Sequence, residues 1–200
     1  MSDRAGPFEW SGGHPALDLV NTLDERPLES PIENLAKYRD LVRFVELAGL
    51  VEPTVAARLL RLDGRARSRV VARARKLREH LHDVLAAAHS RQPARQLDLD
   101  EISASIQAAH AARALVASPS PALARHCWPQ PIAPDLALHA CALSIEHLLV
   151  DVERKRIRKC EASDCDVYYV DTSKGQHRQW CSMKACGNRE KQRRWRSGAQ

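Results

Sequence analysis

Apolar residues recur every three or four positions through most of the chain, the spacing that gives a helix one buried face. This pattern predicts six helices, over residues 16–23, 31–48, 54–62, 65–89, 99–110 and 132–156. In the second of these, Ser30 can cap the first turn, Pro31 suits the first helical position and Gly49 can end the helix. The chain is therefore predicted to be mainly α-helical.

A different pattern interrupts the helices between residues 113 and 128. Residues 113–116 and 123–128 lie on either side of the sequence Ser-Pro-Ser-Pro, which favours a turn, and together they predict a small β-hairpin. Residues 167–170 are apolar or aromatic throughout and are predicted as a short strand near the C-terminus.

The last quarter of the chain contains four cysteines in two matched pairs. Cys160 and Cys165 are separated by four residues, as are Cys181 and Cys186, and fifteen residues lie between the pairs. Two such turns can place four thiolates at the corners of a tetrahedron, the arrangement that Zn²⁺ prefers. We predict one structural zinc ion bound by these four residues. Four thiolates leave no open position for a substrate, so the site is not expected to be catalytic.

These patterns divide the chain into an α-helical N-terminal domain with a small β-hairpin, residues 1–153, and a small four-cysteine zinc module, residues 154–200. No segment approaches the roughly 18 consecutive apolar residues of a membrane span, and the N-terminus lacks the layout of a signal peptide. We therefore expect a cytoplasmic protein without membrane contact. In a reducing cytosol, regularly spaced cysteines favour a metal over disulfides.

Charge is distributed unevenly between the two segments. Residues 154–200 contain 13 Lys/Arg and 5 Asp/Glu, a net charge of +8, whereas residues 1–153 contain 18 and 20, a net charge of −2. A basic helix is predicted to begin at residues 187–188, and cationic side chains bind phosphates and guanine edges. The predicted nucleic-acid contacts are Arg178, Lys184, Arg189, Lys191, Arg193, Arg194 and Arg196.

Several other residues admit both a functional and a structural interpretation. Trp180 and Trp195 could stack on bases, but we predict that they pack in the module core or cover the zinc. Asp18 and Asn21 are predicted to cap or cross-link helices, with a pocket for a small effector as the alternative. Six arginines on the helix at 65–89 are predicted to form mostly a solvent-exposed flank, with contact to DNA or an acidic partner as the alternative: Arg65, Arg67, Arg69, Arg73, Arg75 and Arg78.

The motifs resemble two known modules. Residues 180–183 (Trp-Cys-Ser-Met) and 186–189 (Cys-Gly-Asn-Arg), with Asp-Thr-Ser at 171–173, closely resemble the CGNR zinc finger, which is associated with DNA binding. Residues 13–22 resemble the start of the ABATE domain, which usually precedes that finger in stress-induced transcriptional regulators of bacteria. One departure is Gln179, where the family usually has Arg, so one cationic contact of the family is in doubt here.

The resemblance and the charge together predict a bacterial DNA-binding transcriptional regulator and not an enzyme. The finger is expected to bind DNA, and the N-terminal domain is expected to sense a small-molecule effector or to mediate homodimerisation. The sequence shows no glycine-rich phosphate loop, Gly-x-Ser-x-Gly or His-Glu-x-x-His motif. Two alternatives remain open: an RNA-binding or ribosome-associated zinc protein, and a protein–protein adaptor with structural zinc.

Overall fold

The computed structural model describes residues 8–62, 64, 66–118 and 122–198. Within them the chain forms the helices α1 (Pro15–Val20), α2 (Tyr38–Leu47), α3 (Pro53–Arg61), α4 (Ala66–His89), α5 (Gln96–Ala111), α6 (Leu136–Asp151) and α7 (Asn188–Arg196). Three antiparallel pairs are formed by β1 (Leu23–Asp24) with β2 (Ile32–Glu33), β3 (Ala114–Ala117) with β4 (Ala124–Cys127), and β5 (Ile157–Lys159) with β6 (Tyr168–Val170). The predicted mainly α fold with a small β-hairpin is confirmed. None of the helices in the described ranges is long and apolar enough to cross a bilayer.

The chain forms two compact units that do not follow its linear order. One unit, here called the cysteine unit, comprises residues 1–34 and 148–200; the other, the helical unit, comprises residues 35–147. The helix α1 and the β1–β2 pair thus belong to the same unit as the four cysteines. The domain boundary predicted between residues 153 and 154 stays a prediction.

The helical unit is built around α4, which packs against α2 and α5. The apolar stripe predicted for α4 comprises Val70, Ala74, Leu77, Leu81, Leu85 and Ala88. All of these are buried except Ala88, which is half-buried. Complete burial of one such aliphatic side chain stabilises a fold by roughly 1.5–3 kcal/mol. The helices α3, α4 and α5 begin and end within three residues of their predicted bounds.

Some arginines of α4, which were predicted to be solvent-exposed, form contacts with other parts of the helical unit or are buried. Arg75 donates to the carbonyl oxygen of Leu35 at 2.9 and 2.6 Å, and Arg73 forms an ion pair with Asp135. Arg78 is only 2% exposed. The prediction was therefore wrong for Arg75 and Arg78, because long arginines can reach backbone and carboxylate groups of neighbouring segments. Arg73 is exposed, as predicted. Arg65 lies outside the described residues.

The helix α2 begins at Tyr38, seven residues later than predicted. Residues 32–33 are instead drawn into the β1–β2 pair, where Ile32 lies opposite Asp24. The first turn of α2 is closed by Asp40, whose carboxylate accepts a hydrogen bond from the Lys37 backbone N–H at 2.7 Å. At the other end Gly49, with a φ of +72°, stops the helix as predicted.

The helix predicted at residues 132–156 is shorter than predicted at both ends. The helix α6 stops at Asp151, and a single 3₁₀ turn, Arg154–Arg156, leads directly into β5. The strand β5 was not predicted, because three residues are too few to show the alternation that marks a strand. Its pairing with β6 places the first cysteine pair in the loop between the two strands.

Candidate zinc centre and basic helix

The first cysteine pair lies in the loop of the β5–β6 hairpin. The pairing sets Lys159 opposite Tyr168, so that Cys160 follows β5 immediately. The Cys160 backbone N–H donates to the Val167 carbonyl at 2.9 Å, and the Cys165 N–H donates to the Ala162 carbonyl at 3.1 Å. These bonds turn the loop so that both side chains face the same side.

The second cysteine pair lies on a tight turn before α7. The Ser182 hydroxyl accepts the Ala185 N–H at 3.3 Å, which starts a single π-helical turn, Met183–Gly187. A Cβ at Gly187 would come within 2.5 Å of the Met183 sulfur and 3.3 Å of the Trp180 ring, so a larger residue would displace the Met183 side chain and press on the ring. The helix α7 begins at Asn188, as predicted for the Cys-Gly-Asn-Arg motif.

The two turns bring all four thiols together. Their sulfur atoms lie within 4.8 Å of one another, with Cys165 and Cys181 at 3.8 Å and Cys181 and Cys186 at 3.5 Å. Zn–S bonds of about 2.3 Å in a tetrahedron require sulfur–sulfur separations of about 3.8 Å. The four residues therefore fit a zinc ion. His177 is not a member of this cluster among the described residues.

Without a metal ion, the electrostatics of the cluster favour one thiolate among protonated thiols. Hydrogen bonds from the Cys165 and Cys181 thiols lower the pKa of Cys160 to about 2, and the same interaction with Cys160 raises the pKa of Cys165 to about 12. One negative charge is thus shared easily, whereas four adjacent thiolates repel one another unless a metal ion lies between them. Two donors already face the sulfurs: the Cys181 N–H, 3.4 Å from Cys160, and the Arg189 guanidinium, 3.2 Å from Cys186.

Of Trp180 and Trp195, which were both predicted to cover the zinc or to pack in the core, only one lies over the sulfurs. Trp180 is partly buried and packs on the cluster together with Val167, as predicted. Trp195 is 85% exposed, so its predicted place in the core was wrong.

The loop at residues 171–178 is organised by Asp171, which is fully buried. Its carboxylate accepts hydrogen bonds from the Ser173 N–H and hydroxyl, at 2.9 and 2.6 Å, and from the Arg178 N–H at 3.0 Å. These bonds, those of Ser173 foremost, lower the pKa of Asp171. The Asp-Thr-Ser motif is thus explained as a loop support.

Three of the seven predicted nucleic-acid contacts are engaged within the fold. Arg178 lies over the Tyr169 ring, 4.2 Å from its centroid, and donates to the Trp180 carbonyl at 2.8 Å. Arg189 and Arg193 both form ion pairs with Asp164 at 3.0 Å, which attaches α7 to the first cysteine turn.

The other four predicted contacts are exposed: Lys184, Lys191, Arg194 and Arg196. In the part of the chain that the structure describes, none of them forms an ion pair with a carboxylate. Helical spacing places Lys191, Arg194 and Trp195 on one face of α7, opposite the face that carries Arg189 and Arg193. We call these three residues the outer face of α7.

The N-terminal segment contributes an unpredicted support to the centre. The Asn21 side chain donates to the Tyr168 carbonyl at 3.0 Å and accepts the Tyr168 N–H at 3.1 Å, and the Val170 N–H donates to Gly12 at 2.8 Å. Asp18 in turn accepts the Gly12 N–H at 2.8 Å. Asn21 is the C-cap of α1, in agreement with the predicted capping role. The predicted cross-link between helices is not what these bonds form, because Asp18 holds the segment before α1 and Asn21 holds the strand β6.

These features define a class of protein that is mainly helical and carries a four-cysteine zinc finger followed by a basic helix. The ABATE family model, described as "putative stress-induced transcription regulator", matches residues 13–152, and the CGNR zinc finger model matches residues 156–198. The chain belongs to the ABATE family and ends in a CGNR zinc finger, and neither is an enzyme family. The four clustered cysteines of this finger are consistent with one structural zinc ion, as predicted. No curated protein matches the chain.

Proposed function

We propose that the protein is a DNA-binding transcription regulator whose finger contacts DNA through the outer face of α7. The observation that supports this proposal is the exposure of Lys191, Arg194 and the 85% exposed Trp195 on one side of a helix. Zinc held by the four cysteines fixes the turn from which that helix starts. A regulator family and a zinc finger in one chain support the same function.

The seven predicted contacts then separate into two roles. Lys191 and Arg194 reach phosphates or base edges from the outer face, and each phosphate contact releases counterions. Lys184 precedes α7 and Arg196 lies seven positions after Arg189, on the same side as that residue, so these two are secondary contacts outside the outer face. Arg178, Arg189 and Arg193 hold the loop and the helix in place. A local net charge of +8 over residues 154–200 attracts the duplex before any specific contact forms.

The exposed tryptophan favours a second candidate, an RNA-binding protein. An aromatic ring flanked by cations can stack on an unpaired base, which is the usual contact in single-strand recognition. A Trp195→Ala change would then weaken single-stranded binding by tenfold or more and duplex binding far less. Equal, small losses for both would favour DNA.

The first experiment is selection of random genomic duplex fragments by the zinc-loaded protein at about 150 mM salt, where non-specific attraction is weak. We expect enrichment of a shared sequence that is lost when zinc is chelated. The same selection is run in parallel on an RNA pool, and enrichment of RNA alone would support the second candidate. No enrichment of either nucleic acid would overturn the proposal and favour the adaptor.

The contact surface is tested by the double variant Lys191→Ala/Arg194→Ala. Two lost phosphate contacts should lower duplex affinity at least tenfold and reduce the slope of log affinity against log salt by about two. Arg61→Ala/Arg69→Ala, two exposed arginines of the helical unit, removes the same charge and should leave both quantities unchanged. Equal losses in the two double variants would place the contact elsewhere.

A further inference from the structure

We propose that the β3–β4 hairpin is a homodimerisation site, at which β3 pairs with β3 of a second copy of the chain across a twofold axis. The hairpin belongs to the helical unit. Its sheet has two strands within the described residues, so each strand has one open edge. An open edge presents backbone N–H and C=O groups to which a strand of another chain can bind.

The register of the hairpin shows which backbone groups of β3 face its open edge. The Ser118 N–H donates to the Leu123 carbonyl at 3.2 Å, so these two residues form a hydrogen-bonded pair. Pairs of this kind alternate along an antiparallel ladder with pairs that share no hydrogen bond. Leu115 and Ala117 are in pairs of the second kind. Their N–H and C=O groups therefore point away from β4, towards the open edge.

The outward face of the hairpin is mostly apolar. Directly opposite residues lie on the same face of a sheet, so Leu115 and Ala117 share a face with Ala124 and His126. All four side chains are exposed, and Leu115 is 68% exposed. A sheet with one solvated face usually carries polar residues there, and a two-stranded sheet is marginally stable by itself. A four-stranded sheet formed by two copies would place each Leu115 against apolar neighbours.

A twofold axis through Val116 satisfies both outward-facing residues of β3. Leu115 of each copy then pairs with Ala117 of the other copy, and each pair exchanges two hydrogen bonds. The two pairs form four intermolecular hydrogen bonds, and Val116 lies opposite its own counterpart. Because the contact is identical in both directions, the assembly closes at two copies.

Charge favours pairing at the edge of β3 over pairing at the edge of β4. The same twofold pairing of β4 would be centred on Arg125 and would set two guanidinium groups directly opposite each other, which destabilises a strand pair. Pairing of β3 with β4 of another copy would leave an open edge at each end and would continue into a filament. The strand β3, Ala114–Ala117, has no charged residue, so its self-pairing brings no like charges together.

Sedimentation velocity of the zinc-loaded full chain over a concentration series tests the site. Short strands form a small interface, so we expect a reversible dimer with a dissociation constant on the order of 10 μM. Ala117→Pro removes two of the four hydrogen bonds and should weaken the dimer by about tenfold or more. The matched control is Ala124→Pro. Ala124 lies opposite Ala117, is also exposed and turns its N–H to the edge of β4, so this variant should dimerise like the parent chain.

Amide hydrogen exchange identifies the paired edge. In concentrated, dimeric protein the amides of Leu115 and Ala117 should exchange more slowly than in dilute protein, because they donate to the second copy. The amides of Ala124 and His126 face the other edge and should exchange at the same rate in both samples. The same slowing at both edges, or none at either, would overturn the assignment.

A second pair of variants applies if Ala117→Pro opens the hairpin, which lost protection of the Val116 amide would reveal. Leu115→Lys places a charge beside the open edge of β3 and should also prevent pairing. Its control, Leu123→Lys, adds the same charge at a position of the hairpin that is 95% exposed.

Four sedimentation results would overturn the proposal. They are a parent chain that stays monomeric up to about 500 μM, where a specific interface of this kind is occupied; a dimer that both β3 variants retain; equal loss in a variant and its control; and oligomers that grow beyond two copies. Dimerisation is measured without nucleic acid, so its failure and the failure of the proposed function are separate results.

Discussion

The two units of this chain differ in what holds them together. The helical unit buries large aliphatic and aromatic side chains from several helices, among them Leu41, Phe44, Leu59, Leu81 and Ile102. The core cluster around the cysteines consists of the smaller set Cys160, Ala162, Tyr169, Cys181 and Cys186. The helical unit is stabilised by buried apolar area, whereas the part of the other unit around the cysteines depends on metal coordination and on polar contacts of fixed geometry.

The comparison also explains why the N-terminal segment belongs to the cysteine unit. Leu17, Leu19 and Val20 of α1 are fully buried within that unit, and Phe8 is 6% exposed. A finger of about 45 residues has too few apolar side chains for a core of its own. The segment supplies part of the missing core, so the finger and residues 8–34 are expected to lose their structure together.

Replacing Cys186 with Ser should have the largest effect, because it removes the metal coordination on which the cysteine unit depends. A hydroxyl is a poor zinc ligand, and structural zinc contributes about 10–16 kcal/mol to modules of this kind. We expect loss of one zinc per chain by elemental analysis. Hydrogen exchange should show lost protection at residues 157–198 and 8–34, while α4 stays protected.

The matched control for this change is Cys127→Ser. Cys127 is half-buried in β4, outside the cluster, and its replacement should leave one zinc per chain. If the Cys186→Ser and Cys181→Ser chains both retained one zinc, the ligand assignment would be wrong. If α4 lost protection as well, the two units would not be independent in stability.

Replacing Leu81 with Ala tests the other side of the comparison. Leu81 is fully buried on α4, and a cavity of this kind costs about 2–5 kcal/mol. Denaturant unfolding monitored at the helical unit should shift by that amount, with the zinc content unchanged. Leu60→Ala on α3, which is 46% exposed, should cost less than about 1 kcal/mol. Equal losses for the two variants would contradict the assignment of the core.

Features with a local cause could be predicted from the sequence. The spacing of the four cysteines in the sequence is enough to predict the metal site. The helices α3 to α5 repeat apolar residues often enough to show the helical period. The start of α2 could not be predicted, because Ser30 and Pro31 suit a helix cap and a loop equally well. The exposure of Trp195 depends on which face of α7 is held by Asp164, and a nine-residue basic helix has no apolar stripe to indicate it.

Contacts between distant parts of the chain could not be predicted. Asn21 and Tyr168 are 147 positions apart, and nothing in either local sequence names the other as its partner. A cavity lined by residues from 9–28 and from 164–189 has the same origin, since its two walls are far apart in the sequence. The sequence pattern at residues 13–22 indicated that this segment has a defined role, but it did not indicate that the segment contacts the strand β6.

Replacing Asn21 with Ala should have the smallest of the three effects. It tests directly whether the N-terminal segment supports the finger. It removes both hydrogen bonds to the buried backbone of Tyr168 and leaves its N–H and carbonyl without that partner, at a cost of about 1–3 kcal/mol. Because folding of the finger and zinc binding are coupled, zinc affinity in competition with a chelator should fall about tenfold for each 1.4 kcal/mol. The Tyr168 amide should also exchange faster. Asn34→Ala in the same segment is the control, and a result in which both variants keep the parent zinc affinity would mean that Gly12 and the apolar face of α1 suffice to hold the segment.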